Sequence, residues 1–202
     1  MFDENAPGIM RASASVISVN VGMPAFSLRR NGRPVESAIV KRPVEGPVTV
    51  GFLGPVGDGH ANPAVHGGIR KAVYAYPSEH YPFWAAERPE LEFPVGAFGE
   101  NLTTRGILES ELRPGDRLVI GTTRLVVTQP RFPCEKLGLR FQRPTFVAEF
   151  GRAGRPGFYL SVEQEGELRA GDAIRLQPIK STEPTIESMF RTKIAGDATK
   201  SP

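Results

Sequence analysis

Short runs of β-branched and aliphatic residues, each bounded by glycine, proline or asparagine, constrain the fold of this 202-residue chain more than any other feature. Ile17, Val19 and Val21 alternate with the polar Ser18 and Asn20, as in a strand with one buried face. Similar runs recur along the chain at residues 37–41, 48–52, 72–76, 118–120, 125–128, 157–162 and 173–176. Short strands at this spacing predict a β-barrel or a β-sandwich.

Helical patterns in the sequence are few and short. Ser78 is suited to cap a helix that Pro89 ends. A second helix is predicted to begin at Cys134, and a third covers residues 145–150. Residues 117–129 have the pattern of a β-hairpin with aliphatic residues on both arms. The predicted fold class is therefore mainly β with a few short helices.

The length of the chain is enough to bury one sizeable core, so we expect a single domain. That domain is expected to cover residues 16–178, with residues 1–15 as an N-terminal arm. Residues 179–202 are mostly polar and predict a short, loose C-terminal tail around one amphipathic stretch at 186–190. Deleting this tail should spare the core.

Two absences bear on where the protein works. No segment approaches the about 20 consecutive apolar residues that a membrane-spanning helix needs. Residues 1–14 contain Asp3 and Glu4 and no long apolar run, unlike a secretory signal. These features predict a soluble, cytoplasmic protein without a membrane partner.

Charge is unevenly distributed along the chain. The net charge of +3 is too small to indicate nucleic-acid binding, so no nucleic-acid partner is expected. Residues 124–155, however, carry seven basic side chains against two acidic ones, Glu135 and Glu149. The basic residues are Arg124, Arg131, Lys136, Arg140, Arg143, Arg152 and Arg155. Such a run is either a solvated face or a site for a small anionic ligand.

Cys134 is the only cysteine, and it lies inside this basic segment at the start of a predicted helix. Unpaired backbone N–H groups at a helix start, together with the charges of Arg131 and Lys136, favour a thiolate. A thiolate in this position would act as a nucleophile or bind a soft metal. The alternative is an inert, buried small hydrophobe. A single cysteine cannot form an internal disulfide or a four-cysteine iron–sulfur site, so any redox chemistry requires a cofactor or a partner protein.

The three histidines, His60, His66 and His80, are close in sequence, but their spacing fits no compact zinc pattern. His66 is followed by Gly67 and Gly68, and then by basic residues at the start of a predicted strand. Glycines let the backbone approach a ligand closely, so this loop can hold an anion. The alternative is an ordinary turn before a strand.

A third polar segment covers residues 98–104, with the sequence FGENLTT. Asn101, Thr103 and Thr104 offer short hydrogen-bonding side chains that suit amide-rich heterocycles or phosphate. This segment alone is weak evidence of a binding site.

Taken in order, these motifs resemble those of the MOSC domain, the C-terminal domain of molybdenum cofactor sulfurases, in its stand-alone bacterial form. The matching segments are 57–58 (GD), 66–73 (HGGIRKAV), 76–84 (YPSEHYPFW), 99–102 (GENL), 129–137 (QPRFPCEKL) and 157–159 (GFY). The resemblance covers residues 16–178 and implies a MOSC-type β-barrel that binds the molybdenum cofactor (molybdopterin), whose phosphate tail is anionic.

The resemblance also implies roles for individual residues. Cys134 is expected to be the molybdenum ligand and a catalytic residue, or to carry sulfur as a persulfide, and His66 is expected to be catalytic as well. The implied cofactor-binding residues are His66, Gly67, Gly68, Arg70, Lys71, Glu100, Asn101, Leu102, Thr103, Arg131, Pro133, Lys136 and Arg152, with Tyr159 nearby. Some stand-alone relatives continue into a three-helix C-terminal region, which this chain does not match.

The activity implied is reduction of N-hydroxylated compounds, with His66 or His80 as the proton source. The sequence has neither the cysteines for an iron–sulfur cluster nor a dinucleotide fingerprint, so a separate flavin or iron–sulfur electron donor is predicted. His80 is otherwise expected to lie on a helix surface.

Two alternatives remain open. The first is a carrier that delivers the cofactor, or sulfur from a Cys134 persulfide, to a partner. Pyridoxal phosphate is not expected in this chain, because a desulfurase domain would not fit within it. The other alternative is a metal-free thiol enzyme that uses Cys134 and leaves the remaining motifs unexplained.

Overall fold

Strands dominate the computed structural model, which describes residues 9–62 and 67–198. Its strands are β1 (Ile9–Val21), β2 (Ala25–Arg30), β3 (Arg33–Ser37), β4 (Arg42–Pro43), β5 (Val48–Gly51), β6 (Gly54–Pro55), β7 (Val73–Pro77), β8 (Leu102–Arg105), β9 (Arg117–Ile120), β10 (Thr123–Pro130), β11 (Phe158–Gln164), β12 (Gly166–Leu168) and β13 (Ala173–Gln177). The α-helices are α1 (Tyr81–Glu87), α2 (Glu135–Arg140), α3 (Phe146–Ala153) and α4 (Ile186–Ala198). The predicted fold class, mainly β with a few short helices, is confirmed.

Seven strands form a closed barrel in the order β13, β9, β10, β11, β7, β8 and β1. The ring closes because β1 also pairs with β13, through Ser15 opposite Ala173. β7 and β8 are parallel, and β4 extends the sheet beyond β1. A closed sheet leaves no open edge among these seven strands, so their backbone groups pair within the ring. The barrel predicted from the sequence is therefore present.

Alternation along the strands fills the barrel with aliphatic side chains. In β9, Leu118 and Ile120 are fully buried, and in β10 Leu125 and Val127 occupy equivalent inward positions. β9 and β10 are joined by a tight turn, with Ile120 opposite Thr123, as the predicted hairpin requires. We call this aliphatic interior the barrel core.

A second cluster packs outside the barrel, where the helices meet β7. It consists of Tyr74, Tyr76, Trp84, Ala97, Phe98, Leu137, Phe141, Phe146, Phe150 and Phe190, and we call it the aromatic cluster. The rings of Trp84 and Phe150 stack with centroids 5.8 Å apart and planes 6° apart. Trp84 Nε1 donates a hydrogen bond of 2.7 Å to the hydroxyl of Tyr76, so the buried indole N–H is satisfied.

The C-terminal segment differs from the predicted loose tail. Residues 186–198 form α4, and within it Ile186 and Phe190 are both fully buried. Ile186 belongs to the barrel core, whereas Phe190 belongs to the aromatic cluster. The polar composition of this segment concealed two apolar anchors one helical turn apart.

A hairpin of β2 and β3 lies beside the barrel, and its turn at Asn31 and Gly32 has positive φ angles of 49° and 79°. Arg30 on this hairpin is 2.5 Å from Glu135 at the start of α2. Among the described residues, no helix is long and apolar enough to span a membrane.

Candidate functional site

One cleft beside the aromatic cluster gathers residues from segments that are distant in sequence. It encloses about 630 Å³, part of which is open to solvent. The lining residues are Ser37, Ala38, Ile39, Lys41, Gly59, His60, Ala61, Asn62, Gly67, Lys71, Tyr74, Phe98, Gly99, Asn101, Arg131, Cys134, Lys136 and Tyr159. The structure thus brings together the glycine loop, the segment after Gly99 and the cysteine segment.

Cys134 lies in the cleft wall at the N-terminal cap of α2, with extended φ and ψ angles of −127° and 166°. Its carbonyl oxygen accepts a 2.9 Å hydrogen bond from the backbone N–H of Leu137. The side chain is half-buried. Because α2 has only six residues, its dipole is short, and nearby full charges contribute more to the field at the thiol.

Arg131 is the main charge next to this thiol. It is 5% exposed, and its guanidinium lies over the rings of Tyr74 and Phe150, at 5.7 and 5.3 Å from their centroids. Burial acts to lower its pKa, but the nearby acidic groups of Tyr74 and Cys134 leave that pKa raised above its usual value. Nη1 has no hydrogen-bond partner among the described residues. Arg131 therefore offers the cleft a permanent charge and an unused donor.

The charged side chains that line the cleft are cationic. Lys41, Lys71, Arg131 and Lys136 all contribute to the wall, and none of the described lining residues carries a carboxylate. Negative charge close to the wall is already paired with a lysine of the wall, as in the ion pair of Asp58 with Lys41. The cleft therefore suits an anionic ligand.

Lys41 and Asp58 form a buried ion pair at the edge of the cleft, with side chains only 6% and 3% exposed. Asp58 Oδ1 also accepts a hydrogen bond of 2.8 Å from Gly22 N, and Oδ2 accepts one of 2.8 Å from Asn101 Nδ2. Lys41 was not among the site residues predicted from the sequence. A usable signal was a lysine directly after the apolar run at 38–40.

Asn101 connects this ion pair to the barrel. Its Oδ1 accepts a 3.0 Å hydrogen bond from Tyr74 N, and its own backbone N–H donates to Tyr74 O at 2.8 Å. The amide therefore ties the start of β8 to β7 while its Nδ2 holds Asp58. Asn101 lines the cleft, and its hydrogen bonds give it a supporting role as well, whereas its role in binding a cofactor stays a prediction.

The other predicted residues of the 100–103 segment lie beneath the cleft wall. Glu100 is fully buried and accepts hydrogen bonds from Gly96 N at 2.8 Å, from Phe98 N at 3.1 Å and from the hydroxyls of Thr103 and Tyr81. Burial raises the pKa of Glu100, although these donors oppose the shift. Leu102 is fully buried in the barrel core. Glu100, Leu102 and Thr103 are therefore buried inside the protein and are not among the described lining residues of the cleft.

The glycine loop is partly described. His66 lies outside the described residues, so its predicted roles stay predictions. Gly67 lines the cleft with a φ of 113°, and a Cβ there would lie 2.8 Å from the ring of His60. Both facts require glycine at this position. Lys71 ends the following turn in the cleft wall, whereas Arg70 and Gly68 are exposed and are not among the described lining residues.

The remaining predicted residues lie at varied distances from the cleft. Pro133 is half-buried immediately before Cys134 and is not part of the described wall, and Arg152 is exposed on α3. Tyr159 does line the cleft, with its ring centroid 5.3 Å from that of Tyr74. Burial raises the pKa of Tyr159, so its hydroxyl stays protonated near neutrality. The proposed roles of Pro133 and Arg152 stay predictions.

His80 is not on a helix surface, as the sequence analysis expected, but is buried behind the aromatic cluster. Its Nε2 lies 2.9 Å from Glu109 Oε2, and Arg155 Nη1 lies 3.1 Å from Nδ1. An arginine can only donate, so Nδ1 accepts and Nε2 carries the proton. Both ring nitrogens of His80 are therefore occupied by hydrogen bonds within the protein. His80 is not among the described cleft residues.

Metal ligation by several protein side chains is not supported. Among the described residues, no group of three or more histidine, cysteine, aspartate or glutamate side chains is arranged to hold a metal ion. Any metal in this cleft would be bound mainly by a ligand of its own, with the Cys134 sulfur as a soft donor in the described wall.

Comparisons with known proteins agree with this geometry. The family model described as "MOSC domain" matches residues 62–175. Uncharacterized protein YflK of Bacillus subtilis is 37% identical over 180 residues, which are 89% of this chain and 80% of YflK. A protein named "Reductase" from Gibberella moniliformis is 39% identical over 148 residues, which are 72% of this chain but only 26% of that protein. The crystal structure of YiiM from Geobacillus stearothermophilus superposes with a TM-score of 0.74 at 35% identity, covering 91% of this chain and 85% of YiiM.

Proposed function

The chain belongs to the MOSC domain family, and on that premise we propose that it binds the molybdenum cofactor in the cleft around Cys134 and reduces N-hydroxylated compounds. One observation carries this proposal. The cleft combines a half-buried cysteine, a buried arginine with an unused donor and further cationic side chains, without a carboxylate among the described wall residues.

The wall fits the cofactor in three respects. Arg131 can donate from Nη1 to an oxyanion, since that N–H group has no partner among the described residues. Lys71 and Lys136 supply positive charge for the phosphate tail. Gly67 lets the backbone approach a flat pterin where any side chain would collide with His60. When bound, the cofactor supplies the redox centre of the reaction.

Cys134 is proposed as the protein ligand to molybdenum, because a thiolate is a soft donor that suits a thiophilic metal. The charge of Arg131 stabilises that thiolate electrostatically. Tyr159 provides a half-buried ring in the wall against which a planar substrate or pterin can pack, with the buried ring of Tyr74 behind it.

Reduction of an N–OH group to N–H and water consumes two electrons and two protons. This sequence has one cysteine and no dinucleotide fingerprint, so we propose a separate flavin or iron–sulfur protein as electron donor. The similarity to a segment of a longer protein named "Reductase" supports an oxidoreductase role. Because this chain spans about a quarter of that protein, the donor and the substrate remain proposals.

The test is the molybdenum and pterin content of the wild type and of Cys134→Ser, both expressed in a host that synthesises the cofactor. We expect near-stoichiometric molybdenum in the wild type and loss of most of it in Cys134→Ser. Arg175→Gln, an exposed change on β13, is the matched control and should retain the metal. Wild-type protein from a host unable to make the cofactor sets the background.

Turnover separates the proposed enzyme from a carrier. Wild-type protein with bound molybdenum should reduce a hydroxylamine-type substrate when a reduced viologen supplies electrons, and Cys134→Ser should not. Bound cofactor without turnover would favour a carrier that delivers cofactor or persulfide sulfur. Absence of both molybdenum and pterin in the wild type would refute the proposal and leave Cys134 as a plain thiol.

A further inference from the structure

Lys41 is a buried cation that nevertheless reaches a ligand cleft. It follows β3, its side chain is 6% exposed, and it forms part of the cleft wall. Burying an ammonium group costs several kcal/mol unless a partner compensates. The Asp58 carboxylate is that partner, so the pair is stable only as a unit.

The carboxylate is held firmly in place. Asp58 accepts hydrogen bonds from Gly22 N and from Asn101 Nδ2, both at 2.8 Å, in addition to the bond from Lys41 Nζ. These donors come from the end of β1, from the segment before β8 and from the segment after β3. Asp58 is the only hydrogen-bond partner of Nζ among the described residues, and an ammonium has three donors. The geometry leaves Nζ able to donate to a molecule in the cleft.

The surroundings of Lys41 determine how readily its ammonium group releases a proton. Burial lowers the pKa of Lys41 below its ordinary value of 10.5, while Asp58 and Glu100 oppose the shift without cancelling it. The charged and titratable side chains that share the cleft with Lys41 include His60, Lys71 and Lys136. Arg131 cannot release its proton near neutrality, and burial raises the pKa of Tyr74 and of Tyr159.

We propose, building on the proposed function, that Lys41 is a catalytic proton donor and supplies one of the two protons consumed in N-hydroxy reduction. The N–O bond of R–NH–OH breaks, its oxygen leaves as water, and the nitrogen becomes R–NH₂. Two electrons come from the reduced flavin or iron–sulfur donor. Lys41 Nζ gives one proton and solvent gives the other, after which solvent reprotonates Nζ through the open side of the cleft.

Asp58 acts as a positioning residue in this scheme. Its two additional hydrogen bonds keep the carboxylate at one place, and the carboxylate in turn holds the ammonium of Lys41, a residue of the cleft wall. A carboxylate also favours the charged form of Lys41 and thereby restores the proton after each turnover.

The decisive variant is Lys41→Arg, which keeps the charge and the ion pair but cannot release a proton near neutrality. We expect Lys41→Arg to keep wild-type molybdenum and pterin content and a KM within about threefold, while kcat falls about 10²- to 10⁴-fold. Lys180→Arg, an exposed lysine after β13, is the matched control and should behave as the wild type. A Lys41→Arg protein with wild-type kcat would overturn the proposal and make Lys41 a purely electrostatic or structural residue.

The pH profile gives a second readout. A general acid with a lowered pKa predicts that wild-type kcat declines as pH rises through that pKa, at a pH below 10.5. The decline should be absent from the residual activity of Lys41→Arg. A wild-type decline that persists unchanged in Lys41→Arg would assign the titration to another group.

A third readout does not require the cofactor. The 13Cε and 15Nζ resonances of lysine-labelled, cofactor-free wild-type protein can be titrated, with Lys41 assigned through backbone-to-side-chain correlations in the wild type itself. Titration of Lys41 at or above 10.5 would overturn the proposal, even if Lys41→Arg failed to fold. Failure of the proposed function is distinct, because the wild type itself would then lack molybdenum or turnover.

Discussion

The barrel core and the aromatic cluster are built from different side chains and serve different purposes. The barrel core is almost entirely aliphatic, whereas the aromatic cluster consists mainly of phenylalanine, tyrosine and tryptophan rings. The barrel closes on itself through backbone pairing, while the cluster depends on ring packing between helices and a strand. The cleft is lined by two residues of the aromatic cluster, Tyr74 and Phe98, whereas no residue of the barrel core is among the described lining residues.

β7 is the boundary between the regions, and it is buried on both faces. Val73 and Ala75 point into the barrel core, and Tyr74 and Tyr76 point into the aromatic cluster. Tyr74 then supports Arg131 from one side while Phe150 supports it from the other. The position of the charge beside Cys134 therefore depends on aromatic packing, and the barrel supplies the fixed wall behind it.

The largest effect is expected from removing α4, the helix that touches both regions. A chain ending at Glu183 loses the buried side chains of Ile186 and Phe190 together. Large-to-small changes at single core positions cost about 2–5 kcal/mol, so truncation should lower the free energy of unfolding by at least about 5 kcal/mol. Urea unfolding measures the loss. An unchanged midpoint would show that α4 is dispensable and that the tail is loose, as the sequence suggested.

Single substitutions on α4 test whether the two regions are separable. Ile186→Ala and Phe190→Ala should cost about 2–5 and about 3–5 kcal/mol respectively, because both side chains are fully buried. Phe190 stacks on Phe132 with ring centroids 5.4 Å apart, two residues before Cys134. Phe190→Ala should therefore change the alkylation rate of the Cys134 thiol, and Ile186→Ala should leave it unchanged.

The alkylation rate of Cys134 is measured at low denaturant concentration, and unfolding is measured in parallel. The two measurements together separate a local change at the thiol from global instability. Equal changes in thiol reactivity for the two variants would mean that the regions respond as one unit. No change in either variant would show that the cysteine segment does not depend on α4.

Glu109 sits behind the aromatic cluster and provides a smaller test. It is buried, accepts from Gly157 N at 2.6 Å and faces His80 Nε2 at 2.9 Å. Glu109→Gln should cost about 1–3 kcal/mol, because an amide cannot accept at both positions as the carboxylate does. The exposed Glu36→Gln on β3 is the control. A histidine NMR spectrum showing His80 as the Nδ1–H tautomer would contradict the hydrogen-bond assignment.

The smallest expected effect concerns Glu149 at the outer edge of the aromatic cluster. Burial acts to raise the pKa of Glu149, but hydrogen bonds from Arg88, Thr145 and Arg143 outweigh it and lower the pKa to about 2. A depressed carboxyl pKa adds stability above the unfolded value of 4.5 that is lost as pH falls toward 2. Glu149→Gln should cost roughly 1 kcal/mol near neutrality, as expected for a partly exposed ion pair.

Urea midpoints at several pH values check this expectation. The difference between the wild type and Glu149→Gln should shrink as pH falls from 6 toward 2. A difference that is constant with pH would show that the carboxylate charge is not what stabilises this edge.

Much of the fold followed from local patterns. The alternation in β9 and β10 and the turn between them depend on neighbouring residues, so the hairpin could be predicted from its own sequence. The cap position of Cys134 and the short helices after it were predicted for the same reason. The motif order also identified the family, because that information lies wholly in the linear chain.

The candidate site was predicted in part. Gly67, Lys71, Asn101, Arg131, Cys134 and Lys136 were named from the sequence and line the cleft together. Lys41 was missed, because its partner Asp58 and their common support Asn101 are distant in sequence and meet only when β1 and β8 pair. His80 was misplaced because its burial depends on Glu109 and Arg155, which no local pattern connects to it.

Local sequence was sufficient to predict the strands, the turns, the cysteine at a helix start and the family, since each depends on adjacent residues or on motif order. The tertiary structure alone decided which charges are buried, which hydrogen bonds they make and how the apolar anchors of α4 are divided between the two regions. Those properties depend on through-space distances after the barrel closes. Desolvation and charge pairing depend on the distances between residues that are far apart in sequence, and the linear sequence does not specify those distances.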